Sequence, residues 1–352
     1  MPVIRHSLQG LAVAVGFAAL AAVLPSSTGA AEQVAARTTE AAELSALKAL
    51  FARPDAIPFP EDNPYSEAKA RLGEMLFFDP RLSGSNLLSC GSCHNPSLGW
   101  EDGQPTATGQ GMEVLGRHTP TILNLAWSEV FFWDGRADTL EEQALGPIEA
   151  PGEMSQSLDT LIPELEAVPG YQAEFERAFP GQGITADTIA AAIATYERTI
   201  VSNLAPFDRW VRGDETAISE EAQRGFVLFN NKANCTACHS GWNMTDDSFH
   251  DIGLASTDPG REEVLGIAEL RHAFKTPGLR NIDQRAPYMH DGSIATLREV
   301  IDHYADGFIN RPTLSEDIKP LELSDQERDD LVAFMLSLTS ADDPVTLPIL
   351  PN

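Results

Sequence analysis

The chain is 352 residues long and 43% hydrophobic, with 52 acidic side chains against 24 basic ones and a formal net charge of −28. So acidic a chain excludes nucleic acid and anionic membrane as partners, because both are held through clustered Lys and Arg. The charge is ordinary for solubility and would equally suit a basic redox partner.

At the N-terminus, Arg5 precedes an apolar stretch from Leu11 to Leu24, and small residues follow through Gly29, Ala30 and Ala31. That order predicts a secretory signal peptide over 1–30, cleaved near Ala30 or Ala31. The alternative is a retained anchor, but the run is short for a spanning helix and no later segment is long and apolar enough. The mature protein is therefore expected in the periplasm, without a membrane span. Roughly 320 residues remain, which predicts two domains with separate cores.

Ser66 is a candidate N-cap for a helix carrying Gly73-Glu74-Met75-Leu76-Phe77, which leads into Cys90-Gly91-Ser92-Cys93-His94. Pro- and Gly-rich connections are read at 98–120, 146–152 and 251–266; loops of that length usually serve a site. The Ala-rich stretch Ile184 to Ile200 reads as a helix with Asp187 near its start. A boundary is read near Arg212 to Glu215. Ser219 is then a second N-cap, before Gly225-Phe226-Val227-Leu228-Phe229 and Cys235-Thr236-Ala237-Cys238-His239. In both segments the glycine sits one turn before the leucine, where it lets another helix or a haem edge approach. From Thr296 to Asp306, Leu297, Val300, Ile301 and Tyr304 fall at i, i+3, i+4 and i+7, a buried helical stripe. His303 points roughly 100° away on the same helix. Ser324 and Glu327 form a capping box for a helix through Leu338. No run of alternating strands is present.

All four cysteines lie in the two Cys-x-x-Cys-His motifs, the signature of c-type haem attachment. Each cysteine pair forms thioethers to a haem, and the next residue, His94 or His239, is the proximal iron ligand. One zinc shared by two Cys-x-x-Cys pairs, or disulfides, would leave both histidines coincidental. A thioredoxin-like redox motif would need a βαβ setting that neither copy has. The expected fold is mainly α with long loops: a duplicated cytochrome-c-like unit, giving two haem domains over 31–213 and 214–352.

Further stretches follow in order along the mature chain: Asp79-Pro80-Arg81-Leu82-Ser83-Gly84-Ser85, Thr119-Pro120-Thr121-Ile122-Leu123-Asn124, Phe132-Trp133-Asp134-Gly135-Arg136-Ala137, Leu140-Glu141-Glu142-Gln143-Ala144, Glu153-Met154, Lys275-Thr276-Pro277-Gly278-Leu279-Arg280-Asn281 and Ala286-Pro287-Tyr288-Met289-His290-Asp291-Gly292. With the haem motifs they resemble the bacterial di-haem cytochrome c peroxidase and MauG family. The resemblance implies two cytochrome-c-like domains packed across an interface, a first haem that takes peroxide, a second that handles electrons, and a calcium ion between them.

Where classical members carry a histidine that blocks the first iron, the resemblance puts Gln110, a poor ligand. The first haem is thus expected open at its sixth position, the alternative being that His118 swings in. The positions matching the family's peroxide-site groups are Gln143 and Glu153, and Glu153 is the better acid–base group because glutamine does not ionise. Glu141 and Glu142 read as a solvated helical face. Trp133 matches the tryptophan between the haems, an electron relay in the family and otherwise a core aromatic.

For the second haem, the position matching the family's distal ligand is Tyr304, with Met289 as the competing ligand. A thioether favours reduced iron, whereas a phenolate favours the higher oxidation states and so the MauG branch. Backbone carbonyls of Arg285 and Pro287 match calcium-binding positions. His118 stands where the family more often has a calcium-binding asparagine, so water is expected to replace that ligand. Three functions are weighed. The first is oxidation of a periplasmic partner protein with hydrogen peroxide, favoured by Gln110 and Tyr304. The second is reduction of peroxide with electrons from a small cytochrome c. The third, a di-haem electron carrier or sensor, leaves Glu153 and Gln143 unused.

Overall fold

The computed structural model describes Thr39 and residues 41–352; the signal peptide expected over 1–30 lies outside the described residues. The chain divides into two units, Met1–Ala46 and Leu47–Asn352. In the first, residues 41–46 are helical. No described helix is long and apolar enough to cross a membrane.

From Glu67 onward the helices are α1 (Glu67–Phe77), the single turn α2 (Cys90–Cys93), α3 (Leu140–Glu149), α4 (Leu158–Glu166), α5 (Pro169–Ala178), α6 (Ala186–Thr199), α7 (Pro206–Val211), α8 (Glu220–Asn230), α9 (Arg261–Leu265), α10 (Leu297–Asp302) and α11 (Asp325–Leu336). The strands β1 (Phe249–His250) and β2 (Phe274–Lys275) form one short antiparallel pair. Ser66 and Ser219 cap α1 and α8 as read, accepting from the N–H groups of Lys69 and Ala222, both at 3.2 Å. α11 opens on the Ser324–Glu327 capping box and ends at Leu336, before Leu338.

α6 begins as read, with Asp187 in its first turn, and is capped by Thr185 in a box with Thr188. Two expectations need correction. The stretch 146–149 is helical, because Leu140, Ala144 and Ile148 bury one stripe that outweighs Gly146 and Pro147 as breakers. The helix expected over 296–306 is α-helical only to Asp302 and continues as a wider π-type turn over His303–Gly307.

The duplicated glycines set the helix packing. An added Cβ at Gly73 would lie 1.9 Å from the Ala192 carbonyl oxygen and 2.8 Å from the Tyr196 Cβ. At Gly225 it would lie 1.9 Å from the Asp330 carbonyl oxygen and 2.8 Å from the Phe334 Cβ. So α1 crosses α6, and α8 crosses α11, backbone against backbone in the same way. Around the first crossing lies a core of Leu72, Leu76, Phe77, Tyr171, Phe175, Ile189 and Ile193. Around the second, Phe226 meets Phe51, Trp210 and Phe334 edge-on at ring-centre distances of 5.3, 5.2 and 5.5 Å. This is a mainly helical protein of two cytochrome-c-like domains.

The long connections fold over the space these helices leave. Arg117, from 98–120, binds Asp134 at 2.5 Å and Asp258, from 251–266, at 2.7 Å. Gly73→Ala and Gly225→Ala should each lower the thermal midpoint, since overpacking costs about 1–3 kcal/mol. Unchanged midpoints in calorimetry would mean the helices separate without penalty.

Candidate active site

The two Cys-x-x-Cys-His segments fold alike. The His94 N–H donates to the Cys90 carbonyl at 2.8 Å, and the His239 N–H to the Cys235 carbonyl at 2.9 Å. Each imidazole is then aimed by its own Nδ1. His94 Nδ1 lies 3.2 Å from the Trp100 carbonyl and His239 Nδ1 lies 3.0 Å from the Met244 carbonyl. Carbonyls only accept, so Nδ1 carries the proton and Nε2 keeps the lone pair a metal needs. Phe77 and Phe229 back the two rings at 6.4 Å each. Burial pushes both imidazole pKa values down, keeping them neutral. Each turn opens on its own apolar cavity, so the residues present fit two haems attached through Cys90 and Cys93, and through Cys235 and Cys238.

The first cavity brings together Cys93, His94, Trp133, Gln143 and Glu153, as the sequence reading expects. Burial pushes the Glu153 carboxyl up, with Arg136 opposing. Gln110 does not line this cavity: its side-chain oxygen accepts from Ser85 Oγ at 2.8 Å, and its N–H donates to the Glu153 carbonyl at 2.8 Å. Glu141 is not a solvated residue. Arg198 holds it with two bonds at 2.6 and 2.9 Å, and Asn63 donates to it at 2.7 Å.

Tyr304 and Met289 both line the second cavity with His239. The Tyr304 phenol is pushed up by burial and by the nearby Cys238 and Cys235 sulfurs, so it faces the haem-attachment side. His303 is buried, and its Nε2 donates to the Ile252 carbonyl at 2.9 Å. Trp133 belongs to the walls of both cavities. Its indole N–H donates to the His118 carbonyl at 2.8 Å, and its ring meets His290 edge-on at 6.5 Å.

His118 also borders both cavities, and its ring is engaged at each nitrogen: Nδ1 by the Gln104 carbonyl at 2.7 Å, Nε2 by Glu101 at 2.9 Å. Burial works against its charged form, but Glu101 outweighs burial and the pKa is raised. Arg285 and Pro287 line the second cavity, with the Arg285 guanidinium bound to the other Glu101 oxygen at 2.8 Å.

Sequence reading missed two buried acids here, Glu101 and Glu197. Glu197 lines the first cavity from α6, and its Oε2 has no hydrogen-bond partner. Burial pushes its carboxyl up to about 8, against the pull of neighbouring Arg198, which is itself bonded to Glu141. The signal was available: Ile189, Ile193 and Glu197 fall at i, i+4 and i+8, an acid continuing an apolar stripe. Glu101 gave none, since its partners come from loops distant in sequence.

Residues 67–216 match the family model described as di-haem cytochrome c peroxidase, and 222–339 match cytochrome c. The chain is 53% identical to the methylamine utilization protein MauG of Methylorubrum extorquens, over 88% of this chain and 89% of that one. It is 34% identical to the cytochrome c551 peroxidase of Pseudomonas aeruginosa, over 84% and 87%. A solved MauG-like protein associated with microbial copper homeostasis superposes with a TM-score of 0.76 at 34% identity, covering 82% of this chain and 95% of that one. Two haem-attachment turns, a shared tryptophan wall and these likenesses agree: the chain belongs to the di-haem cytochrome c peroxidase and MauG family, and is a haem oxidoreductase of the peroxidase type.

Proposed function

We propose that this protein is a periplasmic enzyme that uses hydrogen peroxide to oxidise a partner protein, in the manner of MauG. The observation that carries the reading is Tyr304, half-buried in the wall of the second cavity and facing Cys235 and Cys238. A phenolate is a hard anionic donor that favours oxidised iron, whereas the thioether of Met289 would favour reduced iron. When bound, the two haems supply the redox chemistry, accepting two electrons from the partner while peroxide and two protons become two waters. The name borne by the relatives at 53% and 49% identity makes a protein of methylamine utilization the partner to try first.

In this reading the N-terminal haem domain runs over 31–213 and the C-terminal one over 214–352. Glu153 is the proton relay. Its raised pKa keeps it able to take a proton from one peroxide oxygen and return it to the other. Gln143 orients peroxide beside it, and Trp133 carries electrons between the cavities whose walls it shares. Gln110 is tied to Ser85, and the His118 ring to Glu101 and Gln104, so neither is free to close the first iron. A cytochrome c peroxidase taking electrons from a small cytochrome c is the second reading, favoured by Met289, which also reaches the second cavity.

The as-isolated protein should therefore give one high-spin and one low-spin ferric signal in electron paramagnetic resonance. Two low-spin signals would mean a side chain does close the first site. Glu153→Gln should keep both haems yet slow peroxide consumption about 100-fold or more, the usual weight of an acid–base group. Stopped-flow rates equal to wild type would remove Glu153 from the relay. Tyr304→Met should raise the potential of the second haem and abolish oxidation of the partner, while peroxide reduction with a small cytochrome c persists. Identical potentials in a redox titration would make Met289 the ligand and favour the second reading.

A further inference from the structure

We propose that His118 is an internal cation in the wall between the two haem cavities, and that it takes the place of the calcium ion implied by the family resemblance. The hydrogen bonds fix its state. Glu101 accepts from Arg285 Nε at 2.8 Å through one oxygen and faces His118 Nε2 at 2.9 Å through the other. Beside a guanidinium Glu101 is a carboxylate, and a carboxylate only accepts, so Nε2 carries a proton. Nδ1 lies 2.7 Å from the Gln104 carbonyl, which also only accepts, so it carries the other. A ring protonated at both nitrogens has no lone pair for a metal and bears a full charge.

The donor set therefore does not fit calcium, which takes six to eight oxygens. Both Glu101 oxygens are already bound to cations, the Gln104 carbonyl accepts from His118 and Asp102 accepts from Thr119, which leaves an ion the backbone carbonyls of Arg285 and Pro287 beside two cations. Arg285 is spent as well: its Nη1 donates to the Gly278 carbonyl at 2.7 Å and to the Arg280 carbonyl at 3.2 Å. Glu101, His118 and Arg285 are 2%, 3% and 6% exposed, so a divalent ion would meet two desolvated cations with little water to screen them.

The site does through a side chain what an ion would do through coordination: it stitches loops from both halves of the chain. Glu101 and Gln104 come from the connection after the first haem turn, and Arg285 from the segment before α10. The His118 N–H donates to the His290 carbonyl at 2.8 Å, and its own carbonyl receives the Trp133 indole N–H at 2.8 Å. His118 is thus a positioning residue for Trp133.

The test is metal content and thermal stability of the purified di-haem protein, neither of which depends on peroxide turnover or on the identity of a partner. After dialysis against calcium and removal of free ion, wild type should hold far less than one calcium per chain. Its thermal midpoint and its haem absorption should be the same with calcium or with a chelator. One tightly held calcium per chain, whose removal lowers the midpoint or alters the spectrum, overturns the proposal. His118→Asn restores a neutral side-chain oxygen; that variant should bind one calcium per chain and acquire a midpoint that falls on chelation. A variant that holds both haems but takes up no calcium also overturns it. If the variant does not accumulate with haem, the wild-type measurements decide alone.

Discussion

The bond from Nδ1 of each motif histidine, His94 and His239, to a backbone carbonyl is the constraint on which the rest of the molecule depends. A Cys-x-x-Cys-His turn can tether a haem covalently and still leave the imidazole free to rotate. The carbonyls of Trp100 and Met244 remove that freedom and fix which nitrogen is bare. Those carbonyls sit on loops, and the loops are held by helices that cross through Gly73 and Gly225. A shift at either crossing would move Phe77 or Phe229, which back the rings, before it moved any group that touches substrate.

Both halves use the same solution, and this is what was legible in the sequence. Glycine, leucine-phenylalanine and the cysteine pair recur in one order because the local geometry needs each of them. The caps at Ser66, Ser219 and Ser324 were legible for the same reason, being set by residues within one turn. Resemblance supplied what periodicity could not: Glu153, Gln143 and Trp133 come from separate segments, and their meeting in one cavity is a property of the fold.

The errors share one cause. Glu141 read as part of a solvated face from its helical spacing, and Arg198, which holds it, lies on another helix. The wider turn at His303–Gly307 breaks the spacing of an α-helix, and no proline or glycine within α10 announces it. Such turns recur at functional sites because they rotate one side chain without ending the helix. Here the turn lets two adjacent residues meet different surroundings, His303 against the Ile252 carbonyl and Tyr304 in the wall of the second cavity.

The wall between the cavities was the least legible part, and its chemistry differs from that of the two haem turns. The turns are built from local bonds and repeat; the wall is built from long-range ion pairs and occurs once. Arg117 joins Asp134 to Asp258, and Glu101 joins His118 to Arg285, each linking loops that are remote in sequence. Ion pairs buried this deeply add little net stability, because desolvation consumes most of the attraction, but they fix geometry since any displaced partner leaves a bare charge. Geometry is what the relay proposed for Trp133 would require. Its ring is held by one backbone carbonyl, and that carbonyl belongs to the residue with both ring nitrogens engaged. The wall is therefore expected to tolerate loss of packing better than loss of one charge.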